Sequence, residues 1–565
     1  MSPERLLQHF DQIAEAPDAV SRLRRFILDL AVRGKLVPQD PEDESAAELL
    51  KRIEAVKTQH TNEGTIRKPR YLPPIKREEE SFKLPETWLW VRIGNVFDYD
   101  AGSKTEPKYL PKDAWLLELE DIEKDFGKTV QHLTVSDRLP KSTKSGFQPG
   151  DVLYGKLRPY LNKVVVADSP GFSTTEIVVL RCYGESIPQY TCLALRRPDF
   201  VNYVTRLGQG TKMPRLRTED AVSAPFPLPP LAEQRRIVAK VDELMVLCDE
   251  LEAAQTKREK RRDRLVAATL HGLNNGDESG ELGIRPTFEE SACFYFNHLP
   301  RLTTRPEHIH QLRQTILNLA IRGKLVPQDP NDEPASELLK RIEAEKARLL
   351  KLGEIRKAKQ FPLIDNKSAH FNLSPSWEWV PIRKIAADRG QKVPDKDFSY
   401  IDVSAIDKER GRIAEPQVLT PDEAPSRARK IVQKGDVIYS CVRPYLLNIA
   451  VVDKDFRPEP IVSTAFAVLN GFGLVTPRYL WIVLRSPFFV TCVEEKMRGQ
   501  AYPAINDGDF ALLPFPLPPL AEQHRIVAKV DELMALCDEL EAQITTTTAT
   551  RHQLLETSLH EALSA

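Results

Sequence analysis

Apolar residues at Leu23, Phe26, Ile27, Leu30 and Ala31 recur at spacings of one, three and four. That is the period of an amphipathic helix, and it predicts one over Leu23–Val32. Gly34 and Pro38 stand where a helix C-terminus belongs. Ser45 and Glu48 have capping-box spacing and open a second helix, "SAAELLKRIEAVK". Much further on, Ile237, Val241, Leu244, Cys248 and Leu251 alternate spacings of four and three. That is a seam of coiled-coil type. It returns as Ile526, Val530, Leu533, Cys537 and Leu540. So narrow and long a stripe predicts two long helices that pack on each other, antiparallel if a pseudo-twofold axis relates them. A solvated surface helix is the alternative. Between these helical stretches "DVLYGKLRPY", "KVVVAD" and "EIVVLRC" are rich in β-branched residues and predict strands. Gly272–Pro300, with "GLNNGDESGELG", reads as a linker.

The helical pattern is duplicated. "LRRFILDLAVRGKLVPQDPEDESAAELLKRIEAVK" from Leu23 and "LRQTILNLAIRGKLVPQDPNDEPASELLKRIEAEK" from Leu312 agree at 27 of 35 positions, with an offset of 312 − 23 = 289. "LPETWLWV" at Leu84 pairs with "LSPSWEWV" at Leu373, and "FPLPPLAEQ" occurs at Phe226 and again at Phe515, both at the same offset. His9 and His298, and Pro17 and Pro306, extend the echo towards the start. Between Trp90 and Phe226 the halves diverge, except for patches such as "GDVLYGKLRPYLNKVVVAD" at Gly150 and "GDVIYSCVRPYLLNIAVVD" at Gly435. A repeated frame therefore carries two different inserts, and what the frame does is common to both halves.

At 565 residues the chain is long enough for several domains. It has no run of apolar residues long enough to span a bilayer, and "MSPERLLQHFDQ" reads as polar and helical rather than as a signal peptide. Seven scattered cysteines read as reduced thiols of a cytoplasmic protein. The eleven histidines form no metal-ligand spacing; His308 and His310 sit at a helix start with no partner motif. No phosphate-binding Gly-rich loop, nucleophile elbow, zinc motif or Asn/Asp-Pro-Pro-aromatic motif is visible, which argues against intrinsic catalysis.

The net charge of −1 excludes a protein basic all over, but not local basic surfaces. Arg138–Lys163 holds six basic residues against Asp151, and Arg206–Arg217 holds four against none. The second insert has Arg427, Arg429, Lys430, Lys434 and Arg443 against Asp436. These residues mix with Tyr, Asn, Gln and Thr in "KLRPYLNK", "GQGTKMPRLR" and "RGQAYPAIN". Arg and Lys neutralise phosphate and read guanine, and Asn and Gln read adenine. The candidate DNA-binding residues are Lys156, Arg158, Tyr160, Asn162, Lys163, Gln209, Thr211, Lys212, Arg215 and Arg217 in the first insert. In the second they are Arg443, Tyr445, Asn448, Gln500, Tyr502 and Asn506.

At these residues the chain resembles the specificity subunits of type I restriction-modification systems. The resemblance rests on "PLPPLAEQRRIVAKVDELM" at Pro227 and its twin at Pro516, on "GDVLYGKLRPYLNK", on "WLLELEDI" at Trp115 and "YIDVSAID" at Tyr400, and on "LRRFILDLAVRGKLVPQD". The family's Gly-Gly-Thr-Pro-like opening loop is replaced by "AGSKTEPKYL" at Ala101 and "DRGQKVPDKD" at Asp388. The resemblance implies an α+β fold: two mixed α/β target-recognition domains separated by long antiparallel coiled-coil helices, with an internal pseudo-twofold repeat. The boundaries expected are 1–80 for a helical frame, 81–230 for the first recognition domain and 231–372 for a central conserved region. The second recognition domain then spans 373–519, and a closing long helix 520–565. It further implies a non-catalytic subunit that reads an asymmetric bipartite double-stranded DNA site and recruits two adenine-N6 methyltransferase subunits and restriction motor subunits. S-adenosylmethionine, ATP and magnesium would belong to those partners, with no cofactor and no metal in this chain. A stand-alone DNA-binding regulator is the alternative, and the duplicated frame, which looks like two copies of a protein-binding surface, argues against it.

Overall fold

The structure is a computed structural model that describes residues 16, 18–66, 71–208, 212–275, 287–353, 355 and 371–564. The frame helices are α1 (Ala19–Val32), α2 (Ala46–Asn62), α3 (Leu231–Asn275), α4 (Phe288–Leu302), α5 (Pro306–Ile321), α6 (Ala335–Leu352) and α7 (Leu520–Ser564). The chain divides into two compact units. One holds Met1–Arg258 with Thr548–Ala565, and the other holds Glu259–Thr547. Both divisions fall inside a long helix, so each unit contains the start of one long helix and the tip of the other.

The expected helix over Leu23–Val32 is α1, which begins earlier, at Ala19. Gly34 follows it at φ +69°, and a Cβ there would stand 2.4 Å from Pro85, so chain conformation and close packing both require glycine. Ser45 caps α2 by accepting the Glu48 N–H at 3.4 Å. The linker expected over Gly272–Pro300 needs correction. α3 runs on to Asn275, and Phe288–Pro300 lies within α4. Thr287 and Glu290 cap that helix reciprocally, at 3.2 and 2.9 Å. The turn-forming residues that suggested a linker are concentrated in 276–286, which lie outside the described residues, as does the stretch from Met1 to Gln12 with His9.

In the first unit the seam of α3 is buried in that unit's own core. Ile237, Val241 and Cys248 pack with Val20, Ile27, Leu28 and Ala31 of α1, and Leu244 and Leu251 lie at the margin. Arg24 of α1 crosses to Asp249 and Glu252 at 2.6 and 2.7 Å. The second unit repeats this arrangement. Ile526, Val530 and Cys537 join the core of Leu312 and Ile316, and Arg313 reaches Asp538 and Glu541 at 2.5 and 2.7 Å.

The repeated "FPLPPLAEQ" is a clamp. Its "PFPL" forms a strand, Pro225–Leu228, antiparallel to Leu89–Arg92; Pro514–Leu517 pairs likewise with Glu378–Pro381. Glu233 is fully enclosed and accepts the Trp88 indole N–H at 2.8 Å and Gln39 Nε2 at 2.5 Å. Gln234 accepts the Ile187 N–H at 3.1 Å and donates to the Pro229 carbonyl at 3.1 Å. The Tyr190 hydroxyl donates to the Pro227 carbonyl at 3.0 Å. In the second unit Glu522 meets Trp377 at 2.8 Å and Gln328, Gln523 meets Thr476 at 2.9 Å, and Tyr479 meets Pro516 at 3.0 Å. Proline keeps its carbonyl acceptor while lacking an N–H, and the Tyr and Gln side chains donate to these buried carbonyls. The two helices α3 and α7 thus leave each insert in the same direction relative to its strand pair.

The inserts are mixed α/β. In the first, Phe97–Tyr99, Ile177–Cys182, Val152–Gly155 and Val164–Val166 form an antiparallel sheet. A second sheet runs Lys104–Thr105, Lys144–Phe147, Gly171–Ser173 and Trp115–Leu117, with its last pair parallel. The second insert has corresponding sheets of five and four strands. The expected strand "DVLYGKLRPY" stops at Gly155, because Arg158 takes a left-handed conformation, φ 50°, and turns the chain.

Candidate nucleic-acid interface

The described candidate residues lie on or beside a platform that each insert builds from two segments. The first segment connects Val152–Gly155 to Val164–Val166. It carries a tight turn, Pro159–Leu161, between two left-handed residues, Arg158 and Asn162. The second segment, Pro214–Arg217, leads into the short helix Thr218–Val222. Main-chain bonds join them. The Arg158 N–H donates to the Pro214 carbonyl at 2.7 Å and the Leu216 N–H to the Lys156 carbonyl at 3.0 Å. The Lys156 N–H donates to the Glu176 carbonyl at 3.0 Å.

The second insert repeats each of these bonds. Arg443 donates to Pro503 at 2.8 Å, Ile505 to Cys441 at 3.0 Å, and Cys441 to Ala465 at 2.8 Å. Arg443 and Leu447 are the left-handed pair, at φ 48° and 54°. Non-glycine residues rarely adopt this conformation, and Leu less than Asn, so the flanking ladder must impose it. The platform is therefore fixed by backbone, while the side chains it displays differ. Lys156, Asn162, Lys163, Arg215 and Arg217 stand where the second insert has Cys441, Leu447, Asn448, Ala504 and Asn506. Tyr160 and Tyr445 are common to both.

Several candidates project into solvent: Tyr160, Lys212, Arg215 and Arg217 in the first insert, and Tyr445, Gln500 and Tyr502 in the second. Arg215 is drawn to Glu176 by two bonds of 3.1 and 2.9 Å. The Arg443 guanidinium lies 4.8 Å from the ring centre of Tyr502, which is 70% exposed. Lys156 and Arg158 are half-buried, and Arg158 Nε is enclosed without a partner.

Other candidates are tied into the fold. Asn162 is 7% exposed and donates to Asp125 Oδ1 at 2.9 Å and to the Arg196 carbonyl at 3.3 Å. Lys163 donates to the Leu119 carbonyl at 2.6 Å, and burial pushes its pKa down. Asn448 is buried and is not the counterpart of Asn162, a place that Leu447 takes. Asn506 caps the helix Asp507–Ala511 through the Asp509 N–H at 2.8 Å. The charge run Arg138–Lys163 is also less available than its count suggests. Arg138 is enclosed by Glu118, Glu120 and Asp121, and Lys144 is buried on Ser142. Gln209 and Thr211 lie outside the described residues.

Arg498, which opens "RGQAYPAIN" but is not among the candidate residues, is 80% exposed, pairs with Asp509 at 3.3 Å, and is bonded through its backbone to Ala504 in both directions at 2.9 Å. It lies 498 − 209 = 289 residues after Gln209, so the repeat itself marks the position. Met213 and Leu446, also exposed on the platforms, carried no charge signal. Lys430 was counted as surface charge but is buried between Asp388 and Asp507, at 3.3 and 3.2 Å. Burial opposes its charge, and the two carboxylates outweigh burial and hold its pKa above the usual range. Among the described residues no group of three or more His, Cys, Asp or Glu could hold a metal, and no helix is long and apolar enough to cross a membrane.

Residues 397–547 match the type I restriction modification DNA specificity domain. The type I restriction enzyme EcoAI specificity subunit of Escherichia coli is 32% identical over 564 residues, covering 95% of this chain and 92% of that protein. The EcoEI specificity subunit of the same organism is 30% identical over 571 residues, covering 96% and 94%. A crystal structure of the HsdS subunit from Thermoanaerobacter tengcongensis aligns with a TM-score of 0.44 at 21% identity, over 86% of this chain and 98% of that one. With a duplicated frame, two differing platforms and relatives matched over nearly their full length, the chain belongs to the specificity subunits of type I restriction enzymes.

Proposed function

We propose that this chain is the non-catalytic DNA-reading subunit of a type I restriction-modification complex. Each insert, 81–230 and 373–519, acts as a target-recognition domain for one half of an asymmetric bipartite site. The observation that carries this reading is the platform built twice with the same main-chain bonds and different displayed side chains. A common backbone gives both domains one way of approaching a duplex, and the side chains then decide which base edges they meet. The duplicated frame supplies two equivalent surfaces for two adenine-N6 methyltransferase subunits, to which restriction motor subunits add. The partners bring S-adenosylmethionine, ATP and magnesium. The exposed Lys212, Arg217 and Tyr160 act on one half-site, and Tyr445, Gln500 and Tyr502 on the other.

The test is methylome sequencing of hosts carrying the complete system with Arg217→Ala or Tyr502→Ala. A residue that reads a base loses about 1–3 kcal/mol of discrimination at one position of its own half-site. A residue that holds phosphate weakens binding evenly and lowers the salt slope by about one. Relaxation of both half-sites by one substitution would overturn the assignment of one domain to one half-site.

A further inference from the structure

Each compact unit seats the tip of a long helix on its first frame helix, and the two seats carry different charged and polar residues. In the second unit the tip of α3 buries Val266, Leu270 and Leu273 in the core that contains Ile309 and Leu312 of α5. Its polar contact is a carboxylate against a guanidinium and an imidazole. Asp263 takes the Arg305 guanidinium and lies 3.0 Å from His308 Nε2, while His308 Nδ1 accepts the Thr304 N–H at 3.3 Å. His308 is 1% exposed, and Glu259 lies 4.0 Å from Arg305. In the first unit the tip of α7 buries Leu555 and Leu559 against Ala16, Ala19, Leu23 and Phe26. Here the seat carries Asp18 and Arg22, bonded to each other at 2.5 Å. The tip brings His552 to both and Glu556 to Arg22 at 3.0 Å.

These residues are repeat counterparts. At the offset of 289, Asp263 corresponds to His552 and Ala267 to Glu556; Ala16, Asp18, Ala19 and Arg22 correspond to Arg305, Glu307, His308 and Gln311. The backbones of the two seats come from the same repeat, while their apolar contacts differ in size, with Phe26 standing for Thr315 and Ala562 for Leu273. A tip cannot reach the seat in the unit where its own helix starts. The first turns of α3 are already buried against α1, and Asp263 lies 263 − 248 = 15 residues, about 22 Å, beyond Cys248 on one unbroken helix. The wrong pairing therefore requires a second copy of the chain.

We propose that the polar residues at the two seats form an address code that directs each tip to its seat within one chain and disfavours exchange with a second copy. In the wrong pairing Asp263 would lose Arg305 and His308 and take the place of His552 beside Asp18 and Arg22, while Ala267 would leave Arg22 without the carboxylate of Glu556. His552 would lose Asp18 and Arg22 and face Arg305 and the buried His308, and Glu556 would face Gln311 in place of Arg22. Discrimination by leaving charged groups without their matched partners in the wrong complex is a general route to specificity among similar surfaces.

The test exchanges the tips in the full-length chain with Asp263→His, Ala267→Glu, His552→Asp and Glu556→Ala. A second variant adds the matching seat exchange: Ala16→Arg, Asp18→Glu, Ala19→His and Arg22→Gln, with Arg305→Ala, Glu307→Asp, His308→Ala and Gln311→Arg. Mass by light scattering and Tm are followed at low and high salt. The tip exchange alone is expected to raise the dimeric and larger fraction and to lower Tm by about 2–4 °C. Molar salt should shrink the difference, because exposed pairs are screened. The doubly exchanged chain should return to the parent's mass and Tm. Unchanged mass and Tm after the tip exchange would overturn the code. So would a doubly exchanged chain that is as unstable, or as unable to fold, as the tip exchange alone.

Discussion

The clamp around Glu233 and the platform around Arg158 are both built twice in this chain, but in opposite ways. In the clamp the side chains are the structure: Trp88, Gln39, Glu233, Gln234 and Tyr190 recur as Trp377, Gln328, Glu522, Gln523 and Tyr479, with distances that agree to about 0.2 Å wherever both are given. In the platform the main chain is the structure, and only Arg158, Pro159, Tyr160 and Leu161 recur in the turn. Buried polar side chains lose their partners on substitution, so a site made of them tolerates little change. A site held by backbone bonds leaves its outward side chains unconstrained. A constant clamp and a variable platform are thus made by two kinds of bonding.

The largest effect expected from breaking this contrast is on the clamp. Glu233→Ala strips the acceptor from the buried Trp88 indole and from Gln39, and leaves the Glu233 site empty of its carboxylate, and should cost about 2–4 kcal/mol. Glu522→Ala should cost the same in the other unit. Hydrogen exchange on the full chain, read unit by unit, would check this; unequal losses would mean that the two clamps are not equivalent.

Next comes a difference between the units' frames. Burial pushes the Asp29 carboxyl up to about 6, whereas its counterpart in the second unit is Asn318, an amide. Between about pH 4 and 6 the folded chain keeps a proton that the unfolded chain has released. Stability therefore falls as pH rises through that window, and the loss persists above it. Asp29→Asn should remove this dependence and gain about 1–3 kcal/mol at pH 7. Tm measured against pH would show it, and a parallel pH profile in the variant would refute it.

Asn162→Leu, which installs the residue found at Leu447, should cost about 1–2 kcal/mol because Asp125 loses its bonded amide. Thermal stability should fall, and the sequence preference of the first half-site should be retained. Relaxed preference with unchanged Tm would make Asn162 a reader after all. The smallest expected effect is that of Arg215→Ala on stability, because its pair with Glu176 is exposed and screened by solvent. Its effect on DNA binding, measured as a salt slope, should exceed that.

The fold was legible where local signals agree. The α1 and α2 helices, the strand runs and the repeat were all readable, because period, capping residues and β-branched composition are properties of neighbours in the chain. The candidate site was legible only in location. The segments around Arg158 and Tyr502 do form surfaces, but Asn162, Lys163 and Asn506 turn out to be fastened to the fold. A donor-rich side chain looks the same in sequence whether it meets Leu119, as Lys163 does, or solvent. The linker failed for a related reason. Turn residues at 276–286 dominated the reading and hid the helical spacing of Phe288, Ala292, Tyr295, Leu299 and Leu302.

By itself, then, the sequence determined the duplication, the amphipathic frame, the long helices and the places where the two halves diverge. These follow from periodicity and from identity at a fixed offset, and neither needs a contact to be known. The tertiary structure decided what each face meets. The seam at Ile237–Cys248 is buried against the frame helix of its own unit, Glu233 and Gln234 turn inward to hold a tryptophan and proline carbonyls, and Lys430 is enclosed by carboxylates from distant segments. Burial and pairing depend on residues tens to hundreds of positions away, and only folding brings those together.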